Sequence, residues 1–324
     1  MPATIETKHL DTVIDNHTQD MSGKVVAITG TTSGTGYVCA REMAKLGATV
    51  LLLNRESQRS ASSLNELQAE VPEGHFHQIT CDLQDFESVR LAIEEIKSRF
   101  EVLDVLCNNA GVMALPDEAT KDGYDVQMQT NCISHFLLTN GLFPLLKKSE
   151  EGRIVNHTSQ ARLGADLEMK YFEKRGGNLG GDGTEEENQS FQGPRWYRYR
   201  QTKLANCAFT YGLIEKLEKH GIGNIKVLLA HPGLAATQLQ ITTAKTGGME
   251  ANSGLMRNAQ SPEDGATGII RCCADPEAGT GDFYGPEQWV GFPGKLKPED
   301  SLSDPENIRV NWEGSEAAVG EFKF

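Results

Sequence analysis

The sequence predicts an α/β protein built on a single parallel, doubly wound sheet with helices on both faces. Short apolar runs bounded by turn residues alternate with helix-length stretches along most of the 324 residues, the signature of successive βαβ units. These runs are nearly continuous in apolar character, as strands buried on both sides must be. The first of them also leads into a glycine-rich turn that opens a helix.

Lys24–Thr29 (KVVAIT) reads as the first strand, followed by glycines and a helix to about Leu46. Ala48–Leu53 (ATVLLL) is the second strand, and a polar helix follows it to about Glu70. A short strand near Phe76–Thr80 precedes a helix over Phe86–Arg99. Leu103–Cys107 is the fourth strand, and one long helix is expected over Tyr124–Lys147. Arg153–His157 is the fifth strand, Tyr199–Lys219 another long helix and Ile225–Ala230 the sixth strand. A short strand at Asp282–Tyr284 and a helix near Ile308–Val319 end the pattern. The crossovers are expected to be right-handed.

Two stretches stand outside this alternation. Residues 1–22 read as a polar N-terminal arm, with residues 23–324 forming the folded body. Leu163–Arg198 contains GGNLGGDG and then TEEEN, and it ends among Phe191, Trp196, Tyr197 and Tyr199. So long a connection inside a compact domain is usually functional. Gly176, Gly177, Gly180, Gly181 and Gly183 make it costly to order. It is therefore expected to be a substrate loop, mobile without ligands, that closes as a lid and excludes water, with a fixed wall and a bystander loop as the alternatives.

Lys+Arg 31 against Asp+Glu 45 gives a net charge of −14. That argues against a general affinity for nucleic acid or anionic membrane, both of which need a basic face. No apolar run approaches the ~18 residues of a membrane span. The opening residues carry Glu6, Asp11, Asp15 and Asp20 and do not read as a secretory signal. Seven cysteines form no C-x-x-C pair, so reduced thiols, no metal site and a cytoplasmic location are expected.

The turn Thr29-Gly30-Thr31-Thr32-Ser33-Gly34-Thr35-Gly36 lies between the first strand and the first helix. Gly30 permits a tight turn, while Gly34 and Gly36 let backbone and helix approach a pyrophosphate. The helix start then offers free N–H groups to the phosphates. A dinucleotide fold usually places an acid after the second strand, but here Asn54-Arg55 stands there. A guanidinium suits a 2′-phosphate that a carboxylate would repel, and Ser33 is placed to add a hydrogen bond. NADP(H) is therefore expected ahead of NAD(H). Further on, Tyr199-Arg200-Gln201-Thr202-Lys203 puts a phenol and an ammonium on one helix face. An ammonium beside a phenol, joined by the charge of an oxidised nicotinamide, is expected to lower the phenol pKa and make it an acid/base.

Taken together, these motifs make the chain resemble the short-chain dehydrogenase/reductase family. It matches the family's glycine pattern at 29–36, Asp82-Leu83 after the third strand, Asn108-Asn109-Ala110-Gly111 after the fourth and Asn131 in the next helix. Ser159 follows the fifth strand, Tyr199 and Lys203 hold the expected spacing, and His231-Pro232-Gly233 follows the sixth. The likeness runs from Lys24 to Thr237 and continues more coarsely through Ser261–Ala266, where retinol-dehydrogenase-like members are nearest. The resemblance implies one Rossmann-type domain with strand order 3-2-1-4-5-6-7. It also implies roles. Ser159 would polarise the substrate oxygen, Tyr199 would be the acid/base, and Lys203 would hold the nicotinamide ribose. Asn131 would anchor a water in a proton relay. Gly30, Thr32, Ser33, Gly34, Thr35, Gly36, Asn54 and Arg55 would serve the phosphate and ribose end. Asp82 and Leu83 would meet the adenine, Asn109, Ala110 and Gly111 the adenosine ribose side, and Pro232, Gly233 and Thr237 the nicotinamide.

Three functions are compatible with this set. The leading one is an NADP(H)-dependent carbonyl reductase or alcohol dehydrogenase acting on a small molecule. A reductase of C=C bonds, of the protochlorophyllide-reductase kind, would use a similar frame with an enlarged loop. A non-catalytic NADP(H)-binding redox sensor is the third, although mere binding does not require Asn131, Ser159, Tyr199 and Lys203 together. A homo-oligomer is left open.

Overall fold

The computed structural model describes residues 5–175, 177–250 and 254–324. A short helix α1 (Leu10–Asn16) precedes β1 (Val25–Thr29), α2 (Gly34–Lys45) and β2 (Thr49–Asn54). Next come α3 (Gln58–Glu70), β3 (His75–Thr80), α4 (Phe86–Arg99) and β4 (Val105–Asn108). A helical stretch then comprises α5 (Val126–Met128), a π-helical turn (Gln129–Ile133) and α6 (Ser134–Leu146), followed by β5 (Gly152–His157). The chain continues through α7 (Glu185–Gln189), α8 (Gly193–Lys219), β6 (Ile225–Ala230), α9 (Gln238–Lys245) and α10 (Pro262–Ala274). It closes with β7 (Phe283–Gly285), β8 (Gly294–Leu296) and α11 (Pro305–Val319).

The strands form one sheet in the order β3-β2-β1-β4-β5-β6-β7-β8. The expected order 3-2-1-4-5-6-7 is present. The extra strand β8 pairs antiparallel with β7 at the edge, while the pairs inward of it are parallel. Alternate strand residues feed two cores. Ala27, Leu51 and Leu53 face α4, α6 and α8, whereas Val26, Ile28, Val50 and Leu52 face α2 and α10. Burial on both faces is why the strands read as unbroken apolar runs.

The N-terminal arm is docked on the body over its described part. Leu10 and Val13 of α1 and Met21 are buried, and the backbone N–H groups of Lys8 and His9 donate to the Asp264 carboxylate (2.9 and 2.7 Å). Met1–Thr4 lie outside the described residues. The helix expected over 124–147 is interrupted by the π-helical turn, which contains Asn131. Helix α8 begins at Gly193, with Pro194 in its first turn, so it takes in the end of the insertion. The cysteines are free and buried, as expected. Three of them, Cys39, Cys107 and Cys273, nevertheless converge with Sγ atoms within 4.8 Å of one another.

The insertion is also fastened rather than loose. Leu167, Tyr171, Phe172 and Leu179 are buried in the main core. At its end, Arg198 is only 1% exposed. Arg198 Nη1 donates to the carbonyls of Leu179 (3.0 Å) and Gly181 (2.9 Å), and its Nε lies 3.3 Å from the Asp125 carboxylate. The Asp117 carboxylate accepts from the N–H groups of the same two residues, at 2.8 and 2.7 Å. The ordering cost of these glycines is thus offset by charge-assisted hydrogen bonds to their own backbone. These contacts tie the middle and the end of the segment to the body of the protein. Gly176 lies outside the described residues.

Arg198→Met should leave the buried Asp125 without its cation and release both carbonyls. The expected loss is about 3–5 kcal/mol in urea unfolding. A loss under about 1 kcal/mol would show that the arginine does not hold the insertion.

Candidate functional site

A cavity of about 580 Å³ opens at the carboxyl ends of β1, β4, β5 and β6. In open α/β sheets this is where strand order reverses and ligands bind.

The turn after β1 forms one end of the cavity. Gly30 and Gly34 take positive φ, 74° and 60°. A Cβ on Gly36 would lie 2.3 Å from the Gly30 carbonyl oxygen, so only glycine lets α2 start this close to the strand. Asn54 braces the turn from below. Its Oδ1 accepts from Thr31 N–H (2.9 Å), and its Nδ2 donates to Thr31 Oγ1 (2.8 Å). Thr35 Oγ1 donates to Asn109 Oδ1 (2.9 Å), and Asn109 Nδ2 donates to the Thr29 carbonyl (2.8 Å). Ser33 stands at the N-cap of α2 without capping it, and its hydroxyl instead accepts from Arg59. The first-turn N–H groups therefore meet no side-chain cap, with Arg55 and Arg59 on the same wall. This donor set fits phosphate. Arg59 escaped the sequence reading, although it is a second basic residue soon after Arg55.

The other end is built by β5 and α8. Tyr199 and Lys203 lie one helical turn apart, 4% and 5% exposed. Lys203 Nζ donates to the His157 carbonyl (3.0 Å) and sits 5.7 Å from the centre of the Tyr199 ring. Thr158 Oγ1 donates to the Lys203 carbonyl (2.7 Å), which pins α8 to the end of the sheet. Ser159 follows directly and lines the cavity with Tyr199, Lys203, Pro232, Gly233 and Thr237. Phe191 packs edge-on to Trp196 (5.0 Å), and Trp196 edge-on to Tyr199 (5.9 Å). Met113, Leu239, Met249 and Met256 complete an apolar wall.

Gly30, Thr32, Ser33, Gly34, Thr35, Arg55, Asn109, Ala110 and Gly111 also line this cavity. Gly36, Asn54, Asp82, Leu83 and Asn131 are not among the residues that line it. Leu83 is in the main core, and the Asp82 carboxylate accepts from Gln84 N–H (3.0 Å). Asn131 Nδ2 donates to the Val112 carbonyl (2.8 Å) and Thr202 Oγ1 (2.9 Å), while its Oδ1 accepts from Val112 N–H (2.8 Å). Both amide donors are spent on protein, so the side chain ties α8 to the loop after β4.

Comparison with known proteins bears on the family and the fold. A family model described as short chain dehydrogenase matches residues 24–169. Retinol dehydrogenase 14 of Mus musculus is 33% identical over 320 residues, covering 94% of this chain and 88% of the mouse protein. The chain belongs to the short-chain dehydrogenase family. An uncharacterized oxidoreductase of Schizosaccharomyces pombe is 37% identical over 230 residues, 69% of this chain and 64% of the yeast protein, so just under two thirds of that relative is matched. Among solved structures, an uncharacterized protein from Mycobacterium paratuberculosis superposes with a TM-score of 0.73 at 27% identity, covering 96% of this chain and 98% of that one. The L-sorbose reductase of Gluconobacter frateurii, solved with NADPH and L-sorbose, shares the fold at 24% identity and TM-score 0.59, covering 79% and 92%. Among the described residues no helix is long and apolar enough to cross a membrane.

In this oxidoreductase family member, burial governs the electrostatics of the site. Burial pushes the Tyr199 phenol up to about 12, and the hydroxyl of Ser159 only partly opposes it. Burial also pushes Lys203 down to about 8. Burial is the largest influence on both groups. Tyr199 thus holds its proton at neutral pH.

A depressed lysine pKa has a stability consequence. Between pH 8 and 10.5 the folded protein binds fewer protons at Lys203 than the unfolded chain, so stability rises with pH across that window. Below it the full penalty, roughly 3 kcal/mol, is present. Lys203→Met should therefore be more stable than wild type in urea unfolding at pH 7, and its advantage should shrink as pH rises towards 10. Equal stability at pH 7 would contradict the buried charge.

Proposed function

We propose that this chain is an NADP(H)-dependent oxidoreductase that interconverts an alcohol and a carbonyl, with Tyr199 as the acid/base. The observation that carries the reading is the convergence of Tyr199, Ser159 and Lys203 at one end of a cavity whose other end offers Arg55, Arg59 and the start of α2. The missing acid after β2 favours a 2′-phosphate, which two guanidiniums and the Ser33 hydroxyl would hold. Bound there, the nicotinamide supplies or accepts the hydride at the substrate carbon.

The remaining chemistry belongs to the chain. The Ser159 hydroxyl holds the substrate oxygen within reach of the phenol. Tyr199, protonated at neutral pH, donates its proton to a carbonyl oxygen during reduction. In the reverse direction the phenolate takes the hydroxyl proton, and the Lys203 charge together with the oxidised ring favours that phenolate. Trp196, Phe191 and Met113 keep water from the reacting carbon. Asn131 acts as a positioning residue through Thr202 and Val112.

Tyr199→Phe is expected to keep the fold and NADPH affinity while losing most turnover, because the ring still packs but the proton donor is gone. Near-wild-type turnover on an aldehyde or ketone panel would remove Tyr199 from this role.

Cofactor choice is tested by titrating NADPH and NADH separately. Arg55→Ala and Arg59→Ala should each weaken NADPH by roughly 1–2 kcal/mol and barely change NADH, a modest cost because both arginines are exposed. Equal losses for both cofactors would contradict the 2′-phosphate assignment.

A further inference from the structure

Among the described residues, the charged side chains on the cavity wall are Arg55, Arg59, Lys203 and Arg200, and no carboxylate lines it. In a chain of net charge −14 this is a marked local reversal. On the dinucleotide reading Arg55 and Arg59 meet the 2′-phosphate and Lys203 the nicotinamide ribose. Arg200 is left without an anion.

Its neighbours place Arg200 at the substrate end. It follows Tyr199 in α8, and its Nη2 donates to the Phe191 carbonyl (3.0 Å). Phe191 is held in the left-handed region (φ 60°) and packs on Trp196, which packs on Tyr199. Among the described residues that carbonyl is the one hydrogen-bond partner of Arg200, and no carboxylate pairs with it. A neutral donor would serve a single carbonyl equally well. A guanidinium keeps several N–H groups in a planar fork that matches two carboxylate oxygens. Met113, Leu239, Met249 and Met256 give this end an apolar wall, and the polar side chains near it, such as Gln160 and Gln238, are uncharged.

We propose that Arg200 is a substrate-binding residue that pairs with a carboxylate, so that the preferred substrate is an apolar oxo acid, or the matching hydroxy acid. Its reacting carbon lies at Tyr199 and its carboxylate at Arg200. This proposal rests on the functional reading above for the reacting end, while the anion-binding step is separable from it.

The test uses a chain-length ladder of ω-oxo carboxylic acids and their methyl esters, with wild type, Arg200→Gln and Arg200→Lys. At the chain length that spans the two groups, wild-type kcat/KM should favour the acid over its ester by about tenfold or more, mainly through KM. That ratio should collapse towards one in Arg200→Gln and be partly restored in Arg200→Lys. A purely structural tie to Phe191 would lower acid and ester together and leave the ratio unchanged, overturning the proposal. So would a wild type that never prefers the acid. Binding of saturated fatty acids against their methyl esters is measured in parallel on NADP(H)-loaded protein, through Trp196 and Trp289, which line the cavity. Preference for the acid, lost in Arg200→Gln, supports the proposal without any turnover, and equal binding overturns it. If no oxo compound turns over, the proposed reaction fails while the binding comparison still decides the role of Arg200.

Discussion

The burial of the Lys203 ammonium at the end of the sheet is the constraint on which the rest of this site depends. Placing a cation where it is 5% exposed is unfavourable unless its surroundings are held rigidly around it. The structure answers with hydrogen bonds across the joint between β5 and α8. The His157 carbonyl accepts from Lys203 and also from Asn206 Nδ2 (3.2 Å). Thr158 reaches back to the Lys203 carbonyl, and Asn131 holds Thr202 from the far side. Even Gly111 takes part, because a Cβ there would sit 3.2 Å from Asn131 Oδ1 and 3.6 Å from Lys203 Nζ. A helix bound this tightly cannot rotate, so the phenol one turn earlier has a fixed direction. Positional accuracy of this kind is what catalysis by a positioned proton donor requires.

The parts that could be read from the sequence are those governed by local chemistry. Strands buried on both faces announce themselves as apolar runs, and Phe86–Arg99 and Ile225–Ala230 coincide with α4 and β6. The glycine turn and the Tyr199/Lys203 spacing were equally readable, because each is a short contiguous pattern with a steric or electrostatic cause. Edge strand β8 was not, since Gly294-Lys295-Leu296 has no apolar pattern and exists only by pairing with β7. Helix α10 carried ordinary signals that were passed over: Ser261 at the N-cap, Pro262 next, and Glu263 and Asp264 in the first turn. The docking of α1 depends on Asp264, far along the chain, which no local pattern discloses.

Electrostatic roles were the least readable of all. The spacing of Tyr199 and Lys203 carries no information on desolvation, which is the largest influence on both groups once the helix is packed. Arg198 is the converse case. In the sequence it is one more basic residue beside Arg200, yet in the fold it is almost completely buried as the clamp of a glycine-rich wall. Two arginines two positions apart on one helix thus diverge because each step turns about 100°, which sets them roughly 200° apart around its axis. Arg198 points into the insertion, while Arg200 reaches the cavity.

The same clamp determines how the two walls of the cavity relate. Trp196 Nε1 donates to the Gly248 carbonyl (2.8 Å), and Arg195 Nη1 to the Thr246 carbonyl (2.7 Å), which joins the end of the insertion to the segment after α9. From the other side, Thr243 Oγ1 donates to the Met113 carbonyl (2.8 Å), and Gly248 has no side chain because a Cβ would meet the Ala114 carbonyl oxygen at 2.4 Å. Ala114 itself takes a positive φ of 47°, a cost the surrounding contacts must sustain. Three segments far apart in sequence, those after β4, at the start of α8 and around the end of α9, therefore share one set of hydrogen bonds. A change of residue in any one of them is transmitted to the other two through backbone carbonyls rather than through side-chain contacts alone. The shape of the apolar end is consequently a joint property of the three segments, which is why no single stretch of the sequence could have disclosed it.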